Sequence, residues 1–315
     1  MDPDCEFRPD PTWVKDVTAA CRGRVLVRAP LNHFTTFKIG GPADAIIIPV
    51  DQDDLITVIR LLKRLATPWM VLGRGSNLLV LDGGYDGAMI NLAQAANQLV
   101  ITPGSDQDEF FMEAGAGVPL GRALRITVAE GLTGLEFTTG IPGSVGGAVI
   151  MNAGTRDGRI EDVTEKVTFL TKEETMASKI KKDLCFQYRH LAVDSDEMVV
   201  SATFKLQKGS PDLVRKTVKA AMDYRKQTQP KAWPSAGSVF KNPPGMSAGA
   251  LIDQAGLKGT RIGDAQVSEK HANFIVNLGH ARAKDVLSLM NKVQRTVKEN
   301  FGVALEPEIK VIGRS

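Results

Sequence analysis

Residues 131–154 read GLTGLEFTTGIPGSVGGAVIMNAG and contain seven glycines and a single charged residue, Glu136. A solvated linker does not explain this composition, because apolar residues such as Ile141, Val145 and Val149 favour burial. Glycine among buried apolar residues is typical of backbone that approaches another group closely or adopts a positive φ. The run therefore predicts close contact with phosphates and a flat heterocycle, in preference to a packed structural turn. Candidate contacts are the Thr138, Thr139 and Ser144 hydroxyls and the N–H groups of Gly143, Gly146 and Gly147.

A second glycine cluster, Gly73-Arg74-Gly75-Ser76-Asn77, lies between two apolar strand candidates, WMVL and LLVL. It has the start of a dinucleotide-binding fingerprint, but Leu78 follows and a strand comes next where a helix is required. A tight turn with exposed N–H groups suits an anion, whereas an isolated motif of this kind favours a plain hairpin turn. The chain has no P-loop pattern, so nucleoside-triphosphate hydrolysis has no support.

Composition restricts the class of protein. The 315 residues are 43% hydrophobic and 24% charged, which is typical of a globular chain with two or three cores. A net charge of +3 argues against a nucleic-acid partner, and no apolar stretch approaches the roughly 18–20 residues that span a bilayer. Three cysteines, Cys5, Cys21 and Cys185, indicate a reducing compartment and no metal site. The acidic, proline-broken N-terminus has no signal-peptide pattern, so we expect a cytoplasmic protein.

The rest of the first third predicts a β-α-β unit. Residues 45–50 form a strand candidate, and Asp51 or Asp53 can cap a helix whose apolar residues recur at helical spacing. Thr67-Pro68 ends this helix, and residues 69–72 form the next strand candidate.

The later segments complete an α+β prediction. Short strand signals separated by Gly, Pro and Asp continue from about residue 93 to residue 206. A helix is predicted at about 210–226, with Leu213, Val214, Val218, Ala221 and Met222 facing inward, and another at about 283–300. Two closing strands are predicted around 303–305 and 309–312.

Two segments carry polar groups suited to chemistry. Gln187-Tyr188-Arg189 places an arginine beside an aromatic residue, which suits bidentate binding of a carboxylate, although a single arginine is by default a surface residue. AGSVFKNP, residues 236–243, leaves the Ser238 hydroxyl accessible near Lys241 and Asn242, but it is not a nucleophile elbow.

A third candidate segment is acidic. Glu306 and Glu308 flank Pro307, and in a strand both side chains would point to the same side. One of them is expected to be structural, and a functional role suits the other, because a carboxylate in an apolar strand is costly unless paired. Three histidines, His190, His271 and His280, show no ligand spacing and are interpreted as ordinary core or surface residues.

Taken together, the segments resemble the UDP-N-acetylenolpyruvoylglucosamine reductase family, flavoenzymes that complete UDP-N-acetylmuramate in peptidoglycan synthesis. NHFTTFKIGGPAD resembles the family's opening motif, VLGRGSNLLV its pyrophosphate turn, and residues 131–154 its long FAD-binding run. QYRH, AGSVFKNP and LEPEI resemble its three catalytic segments. Six motifs in the right order, over about residues 32–313, make the resemblance specific.

The resemblance implies three domains: FAD-binding subdomains at 1–92 (plus 304–315) and 93–208, and a substrate-binding domain at 210–303. The first two would form a cradle of the vanillyl-alcohol-oxidase (PCMH) type for non-covalent FAD. NADPH would be the co-substrate and an enolpyruvyl UDP-sugar the substrate of a monomeric enzyme. The implied cofactor-binding residues are Gly73, Arg74, Gly75, Ser76, Asn77, Thr138, Gly140, Ile141, Pro142, Gly143, Ser144, Gly146, Gly147, Asn152 and Ala153. The implied substrate-binding residues are Tyr188, Arg225, Lys226, Lys241 and Asn242.

The resemblance also implies a role for each of three catalytic residues. Hydride addition to the enolpyruvyl β-carbon drives negative charge onto the α-carbon and its carboxylate, and that charge needs a positioned cation or donor. Arg189 and Glu308 would supply this stabilisation, with Glu308 as a hydrogen-bonding partner or in protonated form. Ser238 would protonate the α-carbon, helped by a cation such as Lys226.

This chain departs from the family at residues 154–158, which read GTRDG where the family often has Gly-Ala-Tyr-Gly. It has no room for the substrate-covering loop of the longer family type, so it is expected to be of the shorter type. Two other hypotheses are a flavin oxidase that uses oxygen and a catalytically silent nucleotide-binding protein. AGSVFKNP and the terminal glutamate argue against the first, and the joint presence of Arg189, Ser238 and Glu308 argues against the second.

Overall fold

A computed structural model describes residues 10–194 and 196–315. Cys5 and most of the N-terminal segment assessed above lie outside these residues. Among the described helices, none combines the length and the apolar character that crossing a membrane requires. Helices and strands are mixed along the chain, and the predicted α+β class is confirmed.

The first region contains the predicted β-α-β unit. Its elements are α1 (Thr12–Ala20), β1 (Arg24–Val27), β2 (Ala43–Ile48), α2 (Gln52–Arg64), β3 (Trp69–Val71), β4 (Leu78–Val80) and β5 (Tyr85–Ile90). The sheet order is β1-β2-β5-β3, so β5 lies in parallel between the two strands that α2 connects. Asp51, one of the two cap candidates, caps α2 by accepting a hydrogen bond from the Asp54 N–H, whereas Asp53 lies within the helix.

The second region is built on a large antiparallel sheet. Its elements are β6 (Leu99–Pro103), β7 (Glu109–Gly115), α3 (Leu120–Glu130), β8 (Leu132–Thr133), α4 (Val145–Ile150), β9 (Gly154–Thr155), β10 (Gly158–Arg159), α5 (Ile160–Val163), β11 (Thr164–Leu170), β12 (Met176–Ile180), β13 (Phe186–Gln187), β14 (His190–Leu191) and β15 (Met198–Lys208). The main sheet has the order β12-β11-β15-β7-β6, and α4 packs against β15. One apolar core runs through this region and into the first.

The third region places a four-stranded sheet against a long helix. Its elements are α6 (Pro211–Thr228), β16 (Ser235–Ser238), α7 (Ala248–Gln254), β17 (Arg261–Ile262), β18 (Ala265–Val267), β19 (Phe274–Asn277) and α8 (Ala283–Phe301). The sheet order is β16-β19-β18-β17, and α8 packs on β17 and β18. The last strand, β20 (Lys310–Ile312), returns to the first region and pairs in parallel with β4.

Two details of the third region differ from the sequence predictions. Helix α6 packs against α3, β8 and the turn at residues 136–138. Val214 is buried there, but Leu213, which was also predicted to face inward, is 63% exposed. No strand forms at 303–305, because Gly302 ends α8 with a φ of +70° and the Leu305 carbonyl accepts its hydrogen bond from the Gln294 side chain. The prediction that two strands close the chain is therefore wrong for the first of them.

Polar contacts fix the third region to the first. The Thr36 hydroxyl donates to the Ser235 carbonyl over 2.8 Å, and the Asn277 amide donates to the Phe37 carbonyl over 3.1 Å. The Asp82 carboxylate accepts from the N–H groups of Ala283 and Lys284, which satisfies the N-terminus of α8. These bonds hold β16 beside the first region, so the end of β16 opens onto the groove between them.

Candidate active site

A cavity of about 1310 Å³ lies where the three regions meet. Both glycine clusters line it, and so do Arg189, Ser238 and Glu308. A cavity of this size with a few convergent polar groups is typical of a ligand or active site. The fold therefore joins segments that are far apart in the sequence.

The cluster Gly73-Arg74-Gly75-Ser76-Asn77 is not a hairpin turn. β3 pairs with β5 while β4 pairs with β20, so the loop between them connects two different sheets. None of the five backbone N–H groups donates a hydrogen bond to another residue that the structure describes. Gly75 has a φ of +60°, and an added Cβ there would lie 2.3 Å from the Phe34 carbonyl oxygen. The anion-binding interpretation of this loop is the one that the geometry favours.

The glycines of residues 131–154 divide into two groups. Gly131 ends α3 with a φ of +65°, and an added Cβ at Gly146 would lie 2.7 Å from the Ala116 Cβ, so these two serve the fold. At Gly143 an added Cβ would have no atom closer than 3.9 Å, and at Gly147 none closer than 3.4 Å. Gly143 and Gly147 line the cavity, so they leave its wall open to a ligand.

The predicted N–H donors of this run are partly wrong. The Gly146 N–H donates to the Ala116 carbonyl over 2.9 Å, and the Gly143 N–H donates to the Ile141 carbonyl over 3.0 Å. Ser144 caps α4, and its hydroxyl accepts a long hydrogen bond of 3.4 Å from the Gly147 N–H. Among the described residues, the 73–77 loop offers five backbone N–H groups without an acceptor, whereas Gly143, Gly146 and Gly147 of the later run use theirs within the fold.

Arg189 occupies a strained position in a tight turn. It is the second of two residues that connect β13 and β14, and its φ is +59°, a conformation that non-glycine residues rarely adopt. Its Nη1 donates to the Gly154 carbonyl over 3.1 Å, and its Nε lies 3.0 Å from Glu308 Oε1. The Nε–H does not point at that oxygen, so the contact is an ion pair without a hydrogen bond. Strain of this kind is typical of a functional side chain that the fold must aim.

Glu308 lies beside Ser238 because the chain segments that carry them are hydrogen-bonded. The Glu308 N–H donates to the Val239 carbonyl over 2.7 Å. Burial raises the pKa of the Glu308 carboxyl, and the positive charge of Arg189 opposes this effect in part. Among the described residues, none forms a hydrogen bond with the Ser238 hydroxyl. The site thus combines a guanidinium, a carboxyl whose pKa burial raises and a hydroxyl without a hydrogen-bond partner among the described residues.

The two acids of LEPEI have different surroundings. Glu306 is exposed and its carboxylate pairs with the Lys241 ammonium at 2.5 Å, whereas the Glu308 side chain is 13% exposed and lines the cavity. This segment is not a strand, so the period-two argument for a common side does not apply to it. The expectation that one acid is structural agrees with the exposed ion pair of Glu306.

The structure separates the implied ligand-binding residues into two groups. Arg225 and Asn242 line the cavity, and burial lowers the pKa of the Arg225 guanidinium. Asn242 Oδ1 also accepts from the Ala248 N–H over 3.0 Å. Of the implied cofactor-binding residues, all those within 73–77 and 141–153 except Asn152 also line the cavity. Outside the cavity lining lie Thr138, Gly140, Asn152, Tyr188, Lys226 and Lys241.

Several of the residues outside the cavity lining form hydrogen bonds or ion pairs within the fold. The buried Thr138 hydroxyl donates to the Leu135 carbonyl over 2.6 Å. The buried Asn152 amide donates to the Gln187 carbonyl over 3.0 Å and holds the hairpin that carries Arg189. Lys226 is exposed and lies 3.8 Å from an Asp223 carboxylate oxygen. Asn77 lines the cavity, but its amide donates to the Glu308 carbonyl over 3.0 Å and so positions the catalytic segment.

Sequence reasoning missed other residues of the cavity wall. Arg156 lines it from the β9–β10 turn and Tyr224 from α6. His271 also lines it, in edge-on contact with Phe274 at a centroid distance of 4.8 Å, and burial lowers the pKa of its imidazole. No local pattern marks these residues, because only the three-dimensional fold brings them to the same wall.

Comparisons with known proteins agree with this geometry. A family model described as FAD binding domain matches residues 43–178, which include both glycine clusters. A moss protein, Physcomitrella patens BBE-like 1, shares the fold with a TM-score of 0.57 at 13% identity, over 91% of this chain and 88% of that one. The chain is therefore a flavoprotein of the FAD-cradle class, as predicted, and FAD is confirmed as its cofactor.

The particular family follows from closer relatives. A model for the UDP-N-acetylenolpyruvoylglucosamine reductase C-terminal domain matches residues 229–312. UDP-N-acetylenolpyruvoylglucosamine reductase 1 of Bacillus cereus is 42% identical over 96% of this chain and 99% of its own length. The crystal structure of UDP-N-acetylenolpyruvylglucosamine reductase from Thermus caldophilus superposes with a TM-score of 0.77 at 38% identity, covering 92% and 98% of the two chains. The chain belongs to the UDP-N-acetylenolpyruvoylglucosamine reductase family.

Proposed function

We propose that this chain reduces the enolpyruvyl group of UDP-N-acetylglucosamine enolpyruvate, with NADPH as reductant, to form UDP-N-acetylmuramate for peptidoglycan. Its membership of the reductase family supports this reaction. The observation that carries the proposal is the Arg189–Glu308 pair, which lines the same cavity as Ser238. These three residues come from separate segments and match the chemistry that an enolpyruvyl group requires.

The residues of the cavity fit FAD. The five free N–H groups of the 73–77 loop would hold its diphosphate, because an array of backbone donors suits an anion. Gly143 and Gly147 leave the neighbouring wall without side chains, so a flat ring can approach the backbone. When bound, FAD supplies hydride transfer from NADPH to the enolpyruvyl group, and the protein supplies orientation and electrostatics.

Arg189 binds and polarises the enolpyruvyl carboxylate. Its side chain is 22% exposed, so water screens its charge less than it would at the surface. The hydrogen bond from Nη1 to the Gly154 carbonyl fixes the guanidinium plane. As negative charge develops on the α-carbon and its carboxylate, a cation that is already in place stabilises it without reorganisation.

Ser238 donates the proton that the α-carbon requires, and its hydroxyl is available because no described residue accepts or donates there. A hydroxyl is a weak acid, so it acts against a strongly basic carbanion or enolate. Glu308, whose pKa burial raises, acts next to the same carboxylate as a hydrogen-bonding partner or in protonated form. A neutral acid avoids the repulsion that a second carboxylate would create.

Several finer points stay predictions: the domain limits 1–92 (plus 304–315), 93–208 and 210–303, a monomeric state and a cytoplasmic location. The contacts of α6 concern the domain limits. This helix packs on the second region, although the predicted limits group it with the third.

The direct test is NADPH oxidation by the FAD-loaded protein under anaerobic conditions, with and without the enolpyruvyl sugar. The proposed function predicts continued oxidation, beyond one NADPH for each bound FAD, only when the sugar is present, with UDP-N-acetylmuramate as product. Continued oxidation without the sugar in a parallel aerobic assay would indicate a flavin oxidase, and no oxidation at all would indicate a silent nucleotide-binding protein. Acid precipitation should leave the released FAD in the supernatant, as expected for a non-covalent cofactor.

A further inference from the structure

The turn of the β9–β10 hairpin forms part of the cavity wall. Its two residues, Arg156 and Asp157, line the cavity together with Tyr224 and Arg225 of α6. The hairpin and the helix therefore meet at the cavity although about 70 residues of sequence separate them. Neither Arg156 nor Tyr224 has a role in the mechanism above.

Arg156 is stacked on Tyr224. Its guanidinium carbon lies 4.1 Å from the centroid of the phenol ring. Stacking uses the face of the planar guanidinium and leaves the N–H donors at its edge free to bind a planar or tetrahedral anion. The ring thus orients the guanidinium without consuming its hydrogen-bonding capacity.

The carboxylate nearest to Arg156 does not neutralise it. Arg156 Nε lies 3.3 Å from Asp157 Oδ1, but the two side chains are 65% and 57% exposed, so solvent screens the pair. Its terminal nitrogens make no hydrogen bond with any residue in the described ranges. They are available to a ligand in the cavity.

Arg225 adds a second positive charge next to Tyr224 in sequence. Its guanidinium packs against Gly140, where an added Cβ would lie 3.0 Å from Nε. Burial lowers the pKa of this guanidinium, and no carboxylate within the described parts of the chain pairs with it. A desolvated cation without a counter-ion favours the entry of an anion.

We propose that Arg156, oriented by Tyr224, binds the diphosphate of a nucleotide ligand at this wall of the cavity. The inference rests on the proposed function, which supplies two nucleotides with a diphosphate, the UDP-sugar and NADPH. The guanidinium fork matches the spacing of two phosphate oxygens, and Arg225 supplies the second charge that a diphosphate requires. Arg156 is thus a ligand-binding residue in the GTRDG turn, at the place where the family often has Gly-Ala-Tyr-Gly.

The test is calorimetric titration of the FAD-loaded enzyme with UDP and, separately, with NADP⁺. Arg156→Ala should weaken binding of at least one of them by about tenfold, the effect of losing a charge-assisted pair of hydrogen bonds. Tyr224→Leu should weaken the same ligand by about two- to fivefold, because the stack that orients Arg156 is lost. Arg156→Lys should restore only part of the affinity, since an ammonium neither stacks as well nor forms a fork.

Arg159→Ala is the matched control. It removes the same charge from the same hairpin, but the Arg159 side chain pairs with Asp162 and lies outside the cavity lining. Its affinities should stay within about twofold of wild type, as expected for an exposed ion pair. In Arg156→Ala the loss should appear in KM with kcat retained, because the contact is made equally before and during the reaction.

The two titrations identify the ligand. Loss of UDP affinity alone assigns Arg156 to the UDP-sugar, loss of NADP⁺ affinity alone assigns it to NADPH, and loss of both indicates a shared diphosphate position. Unchanged affinity for both nucleotides, or an equal loss in Arg159→Ala, would overturn the inference. Turnover of wild-type enzyme with the enolpyruvyl sugar is measured in parallel, so failure of the proposed function is recognised separately.

Discussion

Replacing Arg189 with lysine keeps one positive charge and removes the guanidinium fork. In the structure one guanidinium serves two partners, with Nη1 at 3.1 Å from the Gly154 carbonyl and Nε at 3.0 Å from Glu308 Oε1. The single nitrogen of lysine cannot hold both positions and also face a substrate carboxylate. The Arg189→Lys side chain is therefore expected to remain charged but to lose its orientation.

The magnitude follows from the role of the lost donor. Removing one preorganised donor to developing negative charge typically costs about 10²–10³ in kcat, and the retained charge places Arg189→Lys near 10². Stability should change less, by about 1–2 kcal/mol, because a partly buried charged hydrogen bond is lost while the left-handed turn is retained.

The assay compares two stages of the reaction by stopped-flow absorbance of the FAD. Reduction of the FAD by NADPH should keep its rate in Arg189→Lys, since no enolpyruvyl carboxylate is present at that stage. Reoxidation by the enolpyruvyl sugar should slow by the factor given above. Arg159→Lys, on the neighbouring hairpin, serves as control. Near-normal reoxidation in Arg189→Lys would refute the reasoning and make Arg189 a structural residue.

Three further predictions concern the site. Ser238→Ala should slow reoxidation by the enolpyruvyl sugar by about 10²–10⁴ without changing FAD content or reduction by NADPH, and equal slowing of both stages would mean that Ser238 only positions ligands. Gly146→Ala should lower the melting temperature of the FAD-free protein, because the added Cβ would lie 2.7 Å from the Ala116 Cβ. Gly147→Ala should preserve that temperature but weaken FAD binding, measured by fluorescence. The reverse pattern would contradict the assignment of Gly146 to the fold and of Gly147 to the open cavity wall. Burial raises the pKa of Glu308, so the protonated carboxyl contributes stability that is lost as pH rises from 4.5, the ordinary pKa, through the raised value. The unfolding free energy of Glu308→Gln, which cannot titrate, should therefore increase relative to that of wild type over this range. Parallel pH profiles of the two proteins in denaturant titrations would exclude this effect.

The periodic elements of the fold could be predicted from the sequence. Helix α2 follows from apolar spacing and from an acidic cap at Asp51 or Asp53, of which the structure uses Asp51, and α8 follows from spacing alone. Leu213 shows the limit of this reasoning, because the same spacing does not say which neighbour covers a helix. Helix α6 packs against α3, β8 and residues 136–138, which bury Val214 and leave Leu213 exposed.

The candidate site was only partly accessible to sequence reasoning. The resemblance carried by the segments around Arg189, Ser238 and Glu308 implies that these residues act together, and all three line the cavity. Composition alone could not show that the 73–77 loop joins two sheets, which is why a hairpin turn was favoured there. The Arg156–Tyr224 stack depends on packing between distant segments, and no local pattern in the sequence encodes it.

The central claim is that, in this cavity, the enolpyruvyl β-carbon receives hydride from FAD and the α-carbon receives a proton from Ser238. The most direct measurement is NMR of the product formed from unlabelled NADPH and the enolpyruvyl sugar in D₂O. The account predicts UDP-N-acetylmuramate with one deuterium at the α-carbon, from the exchangeable Ser238 hydroxyl; the hydrogen added at the β-carbon passes through FAD, whose reduced form exchanges its N–H with solvent, so its isotope does not discriminate. Protium at the α-carbon, or NADPH consumed with the enolpyruvyl group unchanged, would contradict it.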